Sequence, residues 1–296
     1  MVGCLYDLVH RVIHNMVSAF DSRIIKVTIE FDDGISTFEG LNIRANGEKY
    51  MSALPGNCQC AIYNLTKSQR NYILTRTSPL NKDRSDIRMT IEVGRQSYGT
   101  FILFDGSIWR AAMTQPPDIG LILEAYTYGY SATQTVSKTY APYSQLSQIA
   151  QSIANDLGMV LINHATDKIV GNVSHSGSVA QQVQQLNNIG GVIAYSSNNI
   201  LYVVDAGKAL PGASRIINSS TGMIGIPQIT DYGCSTSVMM DNTINLGGSV
   251  TIQSMENPAA NGIYYVEKID FDVANREDPF WQILSCKGIN YYAGVQ

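Results

Sequence analysis

The sequence predicts a mainly β (α+β) protein with two antiparallel β-barrel domains, a small α+β domain inserted between them and an N-terminal amphipathic helix. Three observations lead to this prediction. Apolar and polar residues alternate between turn signals in the first and last thirds of the 296-residue chain. In the middle third the apolar period changes to that of a helix, and an apolar stripe precedes the first strand. The predicted domains are residues 1–21, 22–130, 131–208 and 209–296.

The N-terminal segment, residues 5–20, places its apolar side chains at spacings of three and four, as on one face of a helix. Charged and polar residues interrupt it, so it lacks the continuous apolar run of a signal peptide or a membrane span. An apolar stripe on a surface helix needs a partner. We therefore predict a partner interface at Leu5, Leu8, Val12, Met16 and Phe20.

The first β region begins with residues 25–31, which alternate and stop at Asp32-Asp33-Gly34, a hairpin signal. We expect the return strand near residues 35–43 and a short helix over residues 67–73. Residues 87–93 show the clearest alternation in the chain, with four apolar residues on one face. The other expected strands are residues 58–63, 100–104, 106–114 and 119–128.

The α+β region contains two predicted helices. The apolar stripe from Leu146 to Leu157 predicts a helix that ends at Gly158, a common C-terminal stop. Ser178 is placed to cap a second helix, which ends at Gly190-Gly191. We also expect a strand over residues 160–162 and a hairpin formed by residues 192–195 and 200–204.

The last β region has expected strands at residues 231–239, 249–254, 264–273 and 280–287. Turn residues separate these strands, and none of them shows helical periodicity. They form either a second β domain or the completion of the first barrel.

The composition limits the function. Charged residues make up 15% of the chain, against roughly 25% in ordinary soluble domains. The net charge is −4, from 20 basic and 24 acidic residues. This excludes a protein that holds nucleic acid over a broad basic face. The five scattered cysteines are typical of small buried side chains in a protein made in a reducing cytoplasm.

The candidate chemical groups do not form a motif. His10 and His14 have the spacing of two metal ligands on a helix, with Asp7 one turn earlier, but Arg11 stands where the zinc-protease pattern has Glu. His164 and His175 lie in loops without a nearby nucleophile motif. We predict no catalytic, cofactor-binding or metal-binding residues, no cofactor and no enzymatic activity.

One stretch resembles a known family. It runs from Phe38 to Ile43 and then through Ile62-Tyr63-Asn64-Leu65-Thr66 into the short helix. A strand that leaves through this segment into a helix is similar to the opening barrel of the baseplate hub proteins of contractile-tailed bacteriophages. The resemblance continues in domain order over most of residues 23–290, but residues 1–21 have no counterpart in the common core.

The resemblance implies a tail-tube-like fold for both barrels and a structural role. Three chains would form a homotrimeric ring that joins the sixfold tail tube to the threefold central spike, with a channel through which DNA passes. The implied partners are a second copy of the chain, the tail tube or tube-initiator protein and the spike, with the tape measure protein as a further candidate. The resemblance implies neither specific nucleic-acid binding nor membrane insertion. The expected location is the virion baseplate after synthesis in the host cytoplasm.

Other functions remain open at the level of sequence. The alternatives are another β-rich tail tube or secretion-machine component, a tail-associated cell-wall hydrolase and a carbohydrate-binding module. The tyrosines of residues 126–130 could stack on bases or sugars, but no Arg or Lys lies between them, so packing or a subunit interface is the favoured interpretation. Mass in solution separates a ring of three chains from a sixfold tube ring and from a monomeric hydrolase.

Overall fold

The computed structural model describes residues 21–129 and 135–289, and β-strands dominate it. The first region contains β1 (Arg23–Phe31), β2 (Gly34–Phe38), β3 (Ile43–Tyr50), β4 (Asn57–Tyr63), α1 (Lys67–Thr77), β5 (Arg88–Arg95), β6 (Gly99–Met113) and β7 (Gly120–Tyr126). The middle region contains β8 (Thr135–Thr139), β9 (Ser144–Gln145), α2 (Leu146–Leu157), β10 (Val160–Asn163), β11 (Ile169–Val170), β12 (Ser174–Ser178), α3 (Val179–Asn188), β13 (Val192–Ser197) and β14 (Ile200–Asp205). The last region contains β15 (Arg215–Ile217), β16 (Met223–Thr230), β17 (Gly233–Met239), β18 (Ser249–Ile252), a 3₁₀ turn (Pro258–Ala260), β19 (Gly262–Ala274) and β20 (Phe280–Gly288).

The alternation predicted for the first region is confirmed. In β1 the side chains of Ile25, Val27 and Ile29 are buried, and β1 joins β2 through a turn at Asp32-Asp33. Two boundaries were predicted wrongly. The return strand ends at Phe38, and residues 43–50 form a separate strand that pairs elsewhere. Residues 100–104 and 106–114 belong to one strand, because β6 continues through a register shift opposite β5.

The segment from Ile62 to Thr66, which carries the resemblance, forms the turn and the helix cap that its residue types predict. Ile62 and Leu65 are buried on either side of Asn64, which adopts a φ of 65° at the turn. Thr66 then caps α1 through a capping box with Gln69. The helix ends at Thr77, one turn later than predicted.

The middle region follows its predicted helices and hairpin. Gly158 ends α2 with a φ of 66°, in the left-handed region that glycine adopts without strain. Ser178 caps α3 through a capping box with Gln181. Strand β10 pairs with β14 in parallel, and β14 pairs with β13. The pairs β8–β12 and β9–β11 were not predicted, because β9 and β11 have only two residues each and β8 and β12 are mostly polar.

The two predicted β-barrel regions do not form separate closed barrels. The strands of the first and last regions form one 13-stranded sheet, and its main path runs β16-β17-β20-β19-β3-β4-β7-β6-β5-β1-β2. The path is open between β16 and β2, so among the described residues neither region closes into a barrel. The reason is β3: it pairs with β4 on one side and with β19 on the other, which joins the two regions into a continuous sheet.

Three apolar cores lie in the described part of the chain. One is formed mainly by the first region, one by the middle region around α2 and α3, and one mainly by the last region. Phe271 and Phe280 belong by sequence to the last region but pack in the first core, where the Phe271 ring lies 6.4 Å from that of Phe104. The domain boundaries given above stay a prediction, since side chains of both β regions share this core.

A glycine at the junction gives a test of this packing. A Cβ added to Gly47 would lie 2.6 Å from Phe271 Cζ and closer still to the carbonyl oxygen of Asn57. We expect Gly47→Ala to lower the free energy of unfolding by about 1–3 kcal/mol, the usual cost of overpacking. Urea denaturation measures this change.

The matched control is Gly171→Ala, because a Cβ at Gly171 meets no atom within 4 Å. We expect its free energy of unfolding to stay within about 0.5 kcal/mol of the parent chain. Equal stability of the two variants would contradict the packing described for the junction.

Candidate functional site

The largest organised feature outside the cores is the outward side of the sheet around the β19–β3 junction. Alternate residues of these strands point away from the core, and strand register aligns them across the sheet. Most of their neighbours on the inward side are apolar and buried, and Lys49 of β3 is an exception. We call this surface the polar face, and its residues are Lys268, Asp270 and Asp272 of β19, Arg44, Asn46, Glu48 and Tyr50 of β3, Asn57, Gln59 and Ala61 of β4, and Ile122, Glu124 and Tyr126 of β7.

Lys268 is the centre of the polar face. Its ammonium group lies 2.9 Å from Glu48 Oε1 and 2.6 Å from Asp270 Oδ1. The Tyr50 hydroxyl and the Asn57 side-chain amide also donate to Glu48 Oε2. The hydrogen bond from Tyr50, followed by that from Lys268, lowers the pKa of Glu48 to about 2. Burial, with the nearby Glu48 carboxylate adding to it, raises the pKa of Asp270 despite the pairing with Lys268.

Other cations on and beside the polar face contact carboxylates as well. Arg44 Nη2 lies 3.2 Å from Asp272 Oδ2. Arg110 of β6 extends the face and lies 2.7 Å from Glu124 Oε1. Arg44 Nη1 also lies 3.9 Å from Glu277 Oε1, so these cations and Lys268 contact five carboxylates in all, and the surface has a slight acidic excess. Such an arrangement leaves little free positive charge for a phosphate backbone.

The two ends of the sheet path are open strand edges. An edge strand presents backbone N–H and C=O groups that another strand can pair with. Ile35 of β2 is 69% exposed, and Ile226 and Ile229 of β16 are 52% and 56% exposed. The edges therefore combine unpaired backbone groups with apolar side chains, which favours contact with another protein.

The chemical groups singled out from the sequence have structural roles where the structure describes them. A ring nitrogen of the buried His175 donates to the carbonyl oxygen of Ser178 at 3.1 Å, while Ser178 caps α3, as the N-cap interpretation predicted. Cys58 and Cys60 are both buried on the core side of β4, as predicted, and burial raises the pKa of each thiol, that of Cys60 to about 12. Tyr128 packs in the middle core, and Tyr126 is partly exposed.

Several predicted positions lie outside the described residues. These include the two N-terminal histidines and the predicted interface at Leu5, Leu8, Val12, Met16 and Phe20, which stays a prediction. Within residues 21–129 and 135–289, no group of three or more His, Cys, Asp or Glu side chains is placed to bind a metal ion. In the same ranges, no helix has the length and apolar character needed to cross a membrane.

The polar face was missed at the level of sequence. Alternation in residues 43–50 and 57–63 signals that one side of each strand is polar. It does not show which charges meet, because Glu48 and Lys268 are 220 residues apart.

The cause of the low pKa of Glu48 gives a test. The pKa of Glu48 falls from its ordinary value of 4.5 to about 2 in the folded protein. Glu48 therefore stabilises the folded state fully above about pH 4.5, and this stabilisation is lost as the pH falls toward 2. We expect Tyr50→Phe to reduce the free energy of unfolding at pH 6–7 by about 0.5–1 kcal/mol, since the site is partly exposed. At pH 3 the difference from the parent chain should shrink. Denaturation at both pH values measures it.

Tyr63→Phe is the control, because Tyr63 lies on the outward side of β4, away from the Glu48–Lys268 cluster. It should change stability equally at both pH values. A pH-independent effect of Tyr50→Phe would show that the hydroxyl does not control the ionisation of Glu48.

Solved structures with the same fold come from phage tails and secretion machines. A tail protein from Neisseria meningitidis MC58 matches with a TM-score of 0.64 and 10% sequence identity. The 43 kDa tail protein of prophage MuSo2 from Shewanella oneidensis matches with a TM-score of 0.62 and 9% sequence identity. Each alignment covers 90% of this chain and 97% of the other chain. The E. coli c3393 protein matches with a TM-score of 0.56 and 9% sequence identity, over 83% of this chain and 73% of its own. It is described as a type VI secretion component with structural similarity to the T4 tail proteins gp27 and gp5. These likenesses show a shared fold.

The family model described as baseplate hub gp41 matches residues 24–286. No curated protein sequence matches the chain significantly. The match spans both β regions and the middle region, and it confirms the resemblance drawn from the Ile62–Thr66 segment and the order of regions. The chain therefore belongs to the baseplate hub gp41 family and is a structural component of a phage tail baseplate.

Proposed function

We propose that three copies of this chain form the baseplate hub ring, which joins the sixfold tail tube to the threefold central spike and lines a channel for DNA. The polar face carries the proposal: it is the surface that we assign to the channel wall. Catalysis has no part in this role. The family is a structural hub family, which supports a non-enzymatic function.

The charge balance of the polar face supports a channel wall. DNA binds proteins mainly through release of counterions from its phosphates, so free cations along a channel would retain it. Here Arg44, Arg110 and Lys268 each contact a carboxylate. The slight acidic excess repels phosphates weakly and keeps the wall hydrated. DNA would therefore pass without specific binding.

Two β regions per chain support the match between threefold and sixfold symmetry. The first and last regions each have a core of their own, and the sheet runs through both. Three such chains place six sheet-built elements around one axis. Edge β2 and edge β16 lie at opposite ends of the path, so each can contact a different neighbour in a closed ring.

The partners follow from the two ends of such a ring. We propose that one end binds the tail tube or a tube-initiator protein and the other binds a separate central spike protein, with the tape measure protein as a further candidate. The likeness to a secretion component related to both gp27 and gp5 supports a position next to a spike. Assembly would take place in the host cytoplasm before the hub becomes part of the virion.

The assembly state tests the ring. We expect the purified protein, alone or with its spike, to form an assembly of three copies of the 32.4 kDa chain. Replacing Ile226 and Ile229 together by Lys should reduce the trimer fraction at least tenfold, because charge on an edge strand opposes pairing. Light scattering and native mass spectrometry measure the copy number.

Ile169→Lys is the matched control, since Ile169 is 68% exposed in the middle region, away from both edges. It should leave the trimer intact. A monomer under all conditions, including with the spike, or a sixfold ring would overturn the proposal.

DNA retention tests the channel wall. We expect the parent ring to retain no double-stranded DNA at 150 mM salt, and Glu124→Lys to retain it with strong salt dependence, because Arg110 then lacks its partner and each copy gains positive charge. Gel-shift titration over a range of salt concentrations measures this. Glu39→Lys, an equal charge change at an exposed site off the polar face, should have a much smaller effect. Equal retention of DNA by Glu124→Lys and Glu39→Lys would contradict the assignment of the polar face to the channel wall.

A further inference from the structure

A groove lies where the two β regions meet at the ends of their strands. It has a volume of about 460 Å³ and is lined by Tyr98 from the β5–β6 turn and by Gly222, Met239 and Asp241 from the last region. Tyr98 is 53% exposed and Met239 is 58% exposed. We call it the seam groove. Its two sides come from different β regions, so an occupant would contact both.

The seam groove continues into an apolar surface on the outward side of the last region. Met239 of β17 lies opposite Trp281 of β20, and the next outward row contains Ile224, Ser237 and Ile283. Ile224 and Ile283 are both more than one-third exposed. Along the strand register these rows continue into Asp272 and Asp270 of β19, so the apolar surface lies beside the polar face on the same side of the sheet. Apolar rows of this kind are typical of a surface that another segment covers.

The described chain begins beside this groove. Asp21 Oδ1 accepts a hydrogen bond from the Ser97 backbone N–H at 3.0 Å, and the Asp21 carbonyl oxygen accepts one from Arg95 at 2.9 Å. Ser97 precedes Tyr98, which lines the groove. Asp21, the first described residue, is therefore held next to the groove, and the twenty residues that precede it in the sequence join the described chain at this point.

The sequence of those residues fits the apolar surface in character and in length. Val12, Ile13, Met16 and Phe20 are the part of the apolar stripe nearest to Asp21. Residues 12–20 span about 12 Å as a helix. Strands β16, β17 and β20 are neighbours, and three strands span about 10 Å.

We propose that residues 12–20 pack across the seam groove and the adjoining apolar rows of their own chain. The expectation from the sequence was contact with another tail component or an adjacent subunit; the groove offers a nearer partner. Docking there would cover Met239 and Trp281 and bridge the two β regions at the side opposite the β19–β3 pairing. The inference stands apart from the ring, since it needs a single chain.

The two tryptophans of the chain provide the first test. Trp281 lies at the apolar rows, while Trp109 lies in the first region and is 48% exposed. In a Trp109→Phe background, deletion of residues 1–20 should at least double the acrylamide quenching constant of Trp281 and shift its emission to longer wavelength. In a Trp281→Phe background, the same deletion should leave Trp109 unchanged. No change at Trp281 would overturn the proposal.

Crosslinking identifies the occupant if the deletion variant fails to fold. In a Cys4→Ser background, the pair Met16→Cys and Met239→Cys should form a disulfide within one chain under mild oxidation, seen as a monomer on non-reducing gels and as a linked peptide by mass spectrometry. Met16→Cys with Ile169→Cys is the control and should not link. A disulfide-linked dimer would assign the segment to a neighbouring copy. Absence of any disulfide would indicate that a different protein occupies the groove. A linked dimer or the absence of a link would each overturn the proposal.

Discussion

The antiparallel pairing of β19 with β3 is the constraint on which the rest of the structure depends. It joins segments more than 200 residues apart and turns two β regions into one sheet. The same pairing places Phe271 in the first core and aligns Lys268 with Glu48 on the outward side. Without it, the 13-stranded sheet would be two separate sheets, each with another open edge. Because loop closure over such a distance is costly in entropy, the pairing has to be supported by burial on the inward side.

The inward and outward sides of this sheet serve different purposes. The inward side is apolar and supplies stability through burial of its side chains. The outward side keeps charge but pairs it, as in the contacts of Lys268 with Glu48 and Asp270. Paired charges at a partly exposed surface add little stability. Their arrangement is better explained by the surface potential it creates, which is near neutral and slightly acidic. That potential suits the channel wall that we propose.

Local patterns in the sequence predicted the elements well where periodicity or capping decides the structure. The alternation of β1 and β5, the Gly158 stop and the Ser178 cap are all present. The failures concern long-range pairing. The segment after Phe38 was assigned to a hairpin return because it continues the alternation, but β3 finds its partners in β4 and β19 instead. For the same reason the continuous sheet and the ion pairs of the polar face were beyond a sequence prediction: alternation indicates a strand's two sides and not its neighbours.

The most direct test of the account is electron cryo-microscopy of the assembled hub, at a resolution that traces strands. We expect three chains around a central opening, with six sheet-built elements and with the polar face, including Glu48, Glu124 and Lys268, directed toward the opening. A ring in which that face packs against another protein while a different surface lines the opening would contradict the central claim. So would an assembly without a passage.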